Sequence, residues 1–273
     1  MNKNHASLRV GLSSNSITIL RTSGWLRRRR DIVANYSIDI SSPLQMRADM
    51  DKALADPLCA GLPTTVVLAD GWTRLFLVTP PIDAVCLEDC RAAAARRFQL
   101  LYGDSPTQWL IEADWNAKHP FLACALPRSI PTTLMHLADS YKLKLLGIAP
   151  QFVVGWNQWR RAQRSDSWFG TVHQNDITLG AVSQGRLIAI RRLQVASADI
   201  KDRRCFLMQI QREALKLSLP PPSSIALCGQ FPQEWTTIDT DGIAIISPED
   251  SAAMHSDLRI FPGADLAATG ELE

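Results

Sequence analysis

Three polar groups in the sequence have residue types that could bind a ligand or do chemistry. The run Ser13–Ser14–Asn15–Ser16 could hold an anion through its backbone N–H groups, but a hairpin turn of these residue types also forms without a ligand. His173 could act as a general base, although a single histidine with no carboxylate partner nearby is more often a surface or hydrogen-bonded residue. Asp70 follows a buried apolar run, where sheet-based enzymes often place ligands, but Asp70–Gly71 is also an ordinary turn. In all three cases the pattern favours a structural role.

The run from Trp25 to Arg30 is the densest concentration of charge in the sequence. We expect it to form a contact surface made of Trp25, Arg27, Arg28, Arg29 and Arg30. The indole could lie at a membrane interface while the guanidinium groups bind phosphates of anionic lipids. A solvated hairpin tip explains the same run, and one short loop with one aromatic residue does not indicate nucleic acid. Since Asp31 is the one acid beside the run, we expect the four arginines to project outward.

A second aromatic and basic segment is predicted to be helical. Trp156 and Trp159 are three residues apart, and Arg160 and Arg161 follow them. Tryptophan is enriched at interfaces, so the segment could bind a partner. Tryptophans at this spacing more often face the core of the protein, and we favour that interpretation.

These candidate residues lie on two similar groups of three short strands. The predicted strands of the first group are 8–12, 17–21 and 31–40, and those of the second lie between Trp168 and Gln194. Apolar and polar residues alternate along both groups, with turn residues between the strands. Ile17–Thr18–Ile19 and Ile177–Thr178–Leu179 occupy matching places, so the sequence predicts an α/β fold made of two halves that each open with a three-stranded meander.

The rest of the sequence predicts further helices and strands. We expect helices at 43–60, 84–102, 130–142, 151–164 and 199–217. We expect strands at 64–68, 73–78, 108–115, 121–126, 145–148, 225–227 and 242–246. The strands at 64–68 and 73–78 are predicted to join the first group in a five-stranded unit, and residues 262–273 are expected to form a loose tail.

Composition describes an ordinary globular protein with an uneven distribution of charge. Hydrophobic residues make up 46% of the 273 residues and charged residues 21%. Residues 1–165 carry 20 Lys and Arg against 13 Asp and Glu, whereas residues 166–273 carry 9 against 14. The six cysteines form no metal-ligand spacing, and we expect them to be reduced and mostly buried. With no apolar signal region and no run long enough to span a bilayer, we expect a cytoplasmic location.

This order of elements resembles the actin-like ATPase superfamily, which has a duplicated, ribonuclease H-like α/β fold. Within it, the sequence resembles the PilM family of type IV pilus assembly and the cytoplasmic half of the type II secretion protein GspL. The resemblance rests on four features: the first meander at Val10–Leu20, an inserted unit containing Leu126–Pro127 and Leu146–Ile148, the second meander, and the strand and turn at Ile225–Gly229. It implies a first half at 1–165 with an inserted αββαβ unit at about 82–150, and a second half at 166–273.

The sequence departs from this superfamily at its nucleotide motifs. Members that use ATP carry Asp-x-Gly after the first strand of each meander, where backbone N–H groups hold phosphates and the acid coordinates Mg²⁺. Here those places read Gly11–Leu12–Ser13 and Thr171–Val172–His173, and the adenine-side Gly-Gly turn reads Cys228–Gly229–Gln230. The resemblance therefore implies degenerate phosphate loops, made of Ser13, Ser14, Asn15, Thr171, His173 and Gly229. We expect no catalytic residues, no metal and no cofactor.

The function implied by the resemblance is that of a nucleotide-independent scaffold. We expect a pseudo-ATPase at the cytoplasmic face of the inner membrane that docks the cytoplasmic segment of a bitopic assembly protein in a groove of its first half, with an anionic membrane surface as a further contact. The alternative is an active actin-like ATPase or small-molecule kinase with atypical motifs, using ATP and Mg²⁺. A third hypothesis is the soluble half of a GspL-like protein whose membrane span lies after Glu273. Because the sequence has no such span, we expect a stand-alone protein or a shortened chain.

Overall fold

The computed structural model describes residues 6–24, 29–37, 43–163, 167–196, 200–236, 242–248 and 267. These residues form thirteen strands and five α-helices. The strands are β1 (Ser7–Leu12), β2 (Ser16–Ser23), β3 (Arg29–Ser37), β4 (Pro63–Leu68), β5 (Arg74–Val78), β6 (Trp109–Ala113), β7 (Phe121–Pro127), β8 (Lys144–Pro150), β9 (Trp168–His173), β10 (Asp176–Ser183), β11 (Arg186–Gln194), β12 (Ser224–Gly229) and β13 (Ala244–Ile246). The helices are α1 (Pro43–Leu54), α2 (Leu87–Tyr102), α3 (Ser129–Ser140), α4 (Gln151–Trp159) and α5 (Arg203–Lys216). Within this described part of the chain, no helix combines the length and apolarity needed to cross a bilayer.

Two five-stranded sheets have the same topology. Their strand orders are β3-β2-β1-β4-β8 and β11-β10-β9-β12-β13. In each sheet the meander is antiparallel, and two later strands join beside its first strand in parallel. The duplicated α/β architecture predicted from the sequence is therefore confirmed.

The repeat holds at the level of individual residues. Thr18 lies opposite Gly11 in the first sheet, and Thr178 lies opposite Thr171 in the second. Apolar residues flank both threonines and pair with the strand that opens each meander. The two Ile-Thr segments thus occupy equivalent places in the two meanders, as predicted.

The predicted five-stranded unit has the correct number of strands, but its fifth strand is β8 and not the predicted strand at 73–78. β4 pairs with β1 on one side and β8 on the other, while β5 pairs antiparallel with β7 in a separate sheet of order β5-β7-β6. After β4, residues Asp70–Trp72 form a turn of 3-10 helix and no hairpin follows. Apolar runs such as Val66–Leu68 show that a strand is buried on both faces, but they do not show which strands lie beside it.

The chain folds into two compact units. Among the described residues, unit 1 draws on Met1–Thr73, Leu126–Val154 and Met254–Glu273, and unit 2 draws on Arg74–Ala125 and Gly155–Ala253. The β8 strand, predicted to close the inserted unit, lies in the sheet of unit 1. The boundary between halves at residue 165 remains a prediction about the repeat.

The core of unit 1 lies between one face of its sheet and two helices. Leu8, Val10 and Leu12 alternate along β1, so they share that face. Met50 of α1 and Leu134 of α3 pack against them.

The C-terminal segment contributes one described residue to unit 1. Ala267 is fully buried and packs with Leu20 and Ile32. The expectation of a loose tail is therefore wrong at this residue.

Two apolar clusters lie among the described residues of unit 2. In one, Phe206, Ile210 and Ala214 of α5 recur every four residues and face the sheet, and the ring of Trp235 stacks on Phe206 at 4.1 Å between centroids. In the other, Phe98 of α2 packs on the three-stranded sheet. The hydroxyl of Tyr102, at the end of α2, donates to the carbonyl oxygen of Leu75 at 3.3 Å and ties that helix to β5.

Candidate functional site

The first candidate phosphate loop is closed by its own hydrogen bonds. The N–H of Ser13 donates to the carbonyl of Ser16 at 2.9 Å, and the N–H of Ser16 donates to Ser13 Oγ at 3.0 Å. The Ser13 hydroxyl also donates to Asn15 Oδ1 at 2.8 Å. Ser13 and Ser16 are buried, whereas Ser14 and Asn15 are exposed. Two of the backbone amides that could face an anion are thus used by the hairpin itself.

The corresponding position in the second meander is packed against a helix. Thr171 is buried, and a Cβ atom built on Gly155 of α4 would lie 3.6 Å from its Cγ2 and 3.1 Å from Cζ of Phe169. The helix therefore contacts β9 at this point. Thr171 is therefore a packed residue at the position where the resemblance implies an acid in members that use ATP.

His173 of the second loop and Gly229 of the adenine-side turn lie at neighbouring strand ends. His173 ends β9, is buried, and pairs across the hairpin with Asp176, whose carboxylate accepts a hydrogen bond from Arg192 at 3.0 Å. Gly229 ends β12, pairs with Val172, and has a φ of 94°, which favours glycine. Thr171, His173 and Gly229 thus lie at the carboxyl ends of two neighbouring parallel strands.

Asp70 has a structural partner. Its Oδ1 accepts a hydrogen bond from the backbone N–H of Phe152 at 2.9 Å, and Phe152 is the second residue of α4. A carboxylate at a helix N-terminus satisfies an amide that has no partner within the helix and interacts favourably with the helix dipole. The sequence does not reveal this cap, because capping residues normally come directly before their helix.

Part of the basic run belongs to a strand. Trp25, Arg27 and Arg28 lie outside the described residues, but Arg29 and Arg30 begin β3, two residues earlier than predicted. Arg29 is exposed, and its Nε lies 2.9 Å from Oδ1 of Asp31. All three guanidinium nitrogens of Arg30 are buried, because neighbouring residues of a strand point to opposite faces. Arg30 therefore differs from the expectation that all four guanidinium groups project outward.

The two tryptophans of α4 differ in exposure. Trp156 is buried, with its ring centroid 5.7 Å from that of Phe169, so the preference for a core position is confirmed for this residue. Trp159 is half-buried.

Comparison with solved structures identifies proteins of the same architecture. A protein of Bacteroides thetaiotaomicron described as having an actin-like ATPase fold and unknown function matches with a TM-score of 0.61 and 11% identity, over 91% of this chain and 95% of that one. A chain of the PilM–PilN type IV pilus biogenesis complex matches with a TM-score of 0.65 and 12% identity, over 96% of both chains. The cytoplasmic domain of EpsL, an inner-membrane component of the type II secretion system of Vibrio cholerae, matches with a TM-score of 0.58 and 10% identity, over 98% of this chain and 97% of that one.

Sequence comparison adds nothing to these structural matches. No model of a protein family matches the chain, and no curated protein matches it in sequence. At 10–12% identity the structural matches establish the architecture. The resemblance read from the sequence is thus confirmed at the level of the fold: this protein has the duplicated α/β fold of the actin-like ATPases.

Proposed function

We propose that this protein is a nucleotide-independent docking protein of an inner-membrane assembly platform, of the kind used in type IV pilus biogenesis or type II secretion. It lies at the cytoplasmic face of the membrane and binds the cytoplasmic segment of a bitopic membrane protein. Support comes from its end-to-end likeness to a chain of the PilM–PilN complex and to the cytoplasmic domain of EpsL. Both are parts of such assemblies.

The state of the first phosphate loop carries the proposal that no nucleotide is used. Gly11 offers no carboxylate for Mg²⁺, and the hydroxyl of Ser13 accepts the N–H of Ser16. In the second loop, Thr171 is packed beside α4. Binding of Mg-ATP would require these hydrogen bonds and contacts to be given up without a carboxylate to offset the cost.

Calorimetric titration with Mg-ATP tests this point. We expect a dissociation constant weaker than about 1 mM, equivalent to a binding free energy of about −4 kcal/mol or less in magnitude. A dissociation constant in the micromolar range, about −8 kcal/mol, would contradict the proposal and favour an active ATPase or kinase with atypical motifs.

A separate experiment tests the docking role. The immobilised protein is used to recover bitopic proteins from detergent-solubilised membranes, and the short cytoplasmic tail of each recovered protein is then synthesised with a fluorescent label. We expect one such tail to bind the protein directly and saturably in fluorescence anisotropy. If none of the isolated tails binds, the docking proposal is wrong.

A further inference from the structure

Unit 2 contains a cavity of about 450 Å³, and its lining includes Trp156 and Arg160 of the aromatic and basic segment. Three segments meet there: the connection between β6 and β7, the turn between β10 and β11, and the last turn of α4. The volume lies within the range of sites that bind small molecules or short peptide segments.

The floor of the cavity is apolar and held in place. Phe121, Trp156 and Leu187 line it and are all buried. Contact with Phe169 fixes the indole of Trp156, and the ring of Phe121 packs 5.8 Å from that of Trp115. A rigid apolar floor of this kind favours an apolar side chain as occupant, because the protein needs little rearrangement to bind that side chain.

The rim of the cavity is polar and carries more positive than negative charge. Arg160 and Arg186 are exposed on the rim together with His119, and Asp114 is the acidic residue among the lining residues. The rim therefore carries two guanidinium groups and one carboxylate. Guanidinium groups bind carboxylates through paired hydrogen bonds, so the rim favours an acidic occupant.

Local structure fixes the backbone of the rim. Asn116 Oδ1 accepts the N–H groups of Lys118 and His119, at 2.8 and 3.0 Å. The N–H of Arg160 donates to the carbonyl of Trp156 at 2.8 Å, which continues the last turn of α4. Gly185, with a φ of 73°, forms the tight turn that precedes Arg186. The positive rim is therefore built on ordered backbone in all three segments.

We propose that this cavity is the docking pocket for the membrane partner: it receives an apolar side chain of the partner's cytoplasmic segment, and Arg160 and Arg186 bind an Asp or Glu beside that side chain. This inference rests on the proposed docking function and adds the location and chemistry of the contact. A small inorganic anion alone would leave the apolar floor unused, whereas an apolar–acidic peptide pairs with both the floor and the rim.

Selection from a random heptapeptide library displayed on phage tests the pocket without knowledge of the partner. The baits are the wild-type protein, the double variant Arg160→Glu, Arg186→Glu, and a matched control, Arg204→Glu, Arg212→Glu, whose residues are exposed on α5 and do not line the cavity. Peptides enriched on the wild type are synthesised, and their affinities for the three proteins are measured by fluorescence anisotropy. Circular dichroism and thermal unfolding check that all three are folded.

We expect the enriched peptides to share an acidic residue next to Leu, Ile, Phe or Trp. Charge reversal at Arg160 and Arg186 should weaken their binding about tenfold or more, and the α5 control should leave it unchanged. Replacing the acid of the peptide by Gln or Asn should cause a similar loss on the wild type. A test with the partner's own tail, recovered as described above, should give the same ranking.

Two results would overturn the pocket while leaving the docking function intact: equal binding of the partner's tail to all three proteins, or enriched peptides that carry no acid. Competition by inorganic phosphate at concentrations comparable with the peptide would show that the site takes a small anion and would also overturn it. If no recovered tail binds the wild type, the docking function itself fails and the pocket fails with it.

Discussion

Oδ1 of Asp70 accepts the backbone N–H of Phe152 at 2.9 Å, joining two residues that are 82 positions apart in the sequence. Asp70 follows β4, and Phe152 lies in the first turn of α4. Asp70 is buried in unit 1, so its carboxylate is a fixed hydrogen-bond acceptor for the first turn of α4. The geometry gives Asp70 the task of anchoring a helix.

Replacing Asp70 by Ala should lower the free energy of unfolding by about 1–2 kcal/mol, because the N–H of Phe152 loses its acceptor in a buried place. Urea denaturation followed by circular dichroism measures the change. Asp83→Ala, at an exposed loop position, is the matched control and should be neutral. Equal stability of Asp70→Ala and wild type would remove the anchoring role.

Gly170 and Gly147 both lie in strands, but they differ in the space available for an added side chain. A Cβ on Gly170 would lie 2.8 Å from Cδ2 of Leu179 and 2.9 Å from the carbonyl oxygen of Thr178, whereas a Cβ on Gly147 would meet nothing within 4 Å. We expect Gly170→Ala to destabilise the protein by about 1–3 kcal/mol, since a backbone atom cannot move aside cheaply. Gly147→Ala should be neutral or stabilising by up to about 1 kcal/mol. Chemical denaturation should therefore show a loss of stability for Gly170→Ala and none for Gly147→Ala, and a stabilising Gly170→Ala would contradict the packing of β9.

The buried thiol of Cys59 should make the protein less stable at alkaline pH. Burial, and secondarily the charge of Asp56, raises the pKa of its thiol to about 11. The folded protein therefore keeps a proton that the unfolded chain has released, so this contribution is complete below the unfolded pKa and is lost as the pH rises toward 11.

Urea denaturation at about pH 8 and about pH 10.5 checks this prediction. The free energy of unfolding should fall more steeply for the wild type than for Cys59→Ala, whatever the absolute stability of the variant. Tyr102 and Tyr141 also have raised pKa values because of burial, and they affect both proteins alike. Parallel pH dependences would show that the thiol does not contribute.

We predict that the basic run from Trp25 to Arg30 binds anionic membranes weakly and in a salt-sensitive way. Each exposed arginine near such a surface contributes about 1 kcal/mol. Because the guanidinium nitrogens of Arg30 are buried, we assign the effect to Arg27, Arg28 and Arg29. Flotation with vesicles rich in phosphatidylserine should recover the wild type at low salt and lose it at high salt.

A charge-matched comparison separates this run from general surface charge. The triple change of Arg27, Arg28 and Arg29 to Ser should abolish flotation at low salt. The same change at Arg96, Arg97 and Arg204, which are exposed on helices of unit 2, should leave it intact. Equal flotation of the two triple variants would reduce the run to a solvated hairpin tip.

The sequence predicted those features of the fold that depend on local pattern. Alternation of apolar residues placed the strands within a few positions, and the repeated Ile-Thr segments predicted that Thr18 and Thr178 occupy equivalent places. The neighbours of β4 could not be predicted in the same way, because burial on both faces does not specify which later strand, β5 or β8, completes a sheet.

The candidate sites could be predicted from the sequence only where they depend on neighbouring residues. The turn at Ser13 was recognised from its residue types, and the structure adds the hydrogen bonds that close it. The cap formed by Asp70 and the cavity beside Trp156 were missed, because each joins segments that are far apart in the sequence. Arg160 was noticed as part of the aromatic and basic segment, but Arg186 lies at the start of β11, 26 residues later.

The pairing of β4 with β8 also has a consequence for how the chain is completed during translation. About 80 residues separate the two strands, and at a synthesis rate of roughly 5–20 residues per second their production takes about 4–16 s. All of β5, α2, β6 and β7 emerge from the ribosome in that interval, and β5, β7 and β6 can form their own sheet because its strand pairs lie within that stretch. Meanwhile the apolar edge of β4 stays unpaired, and we expect this stage of the nascent chain to be the one most in need of a chaperone.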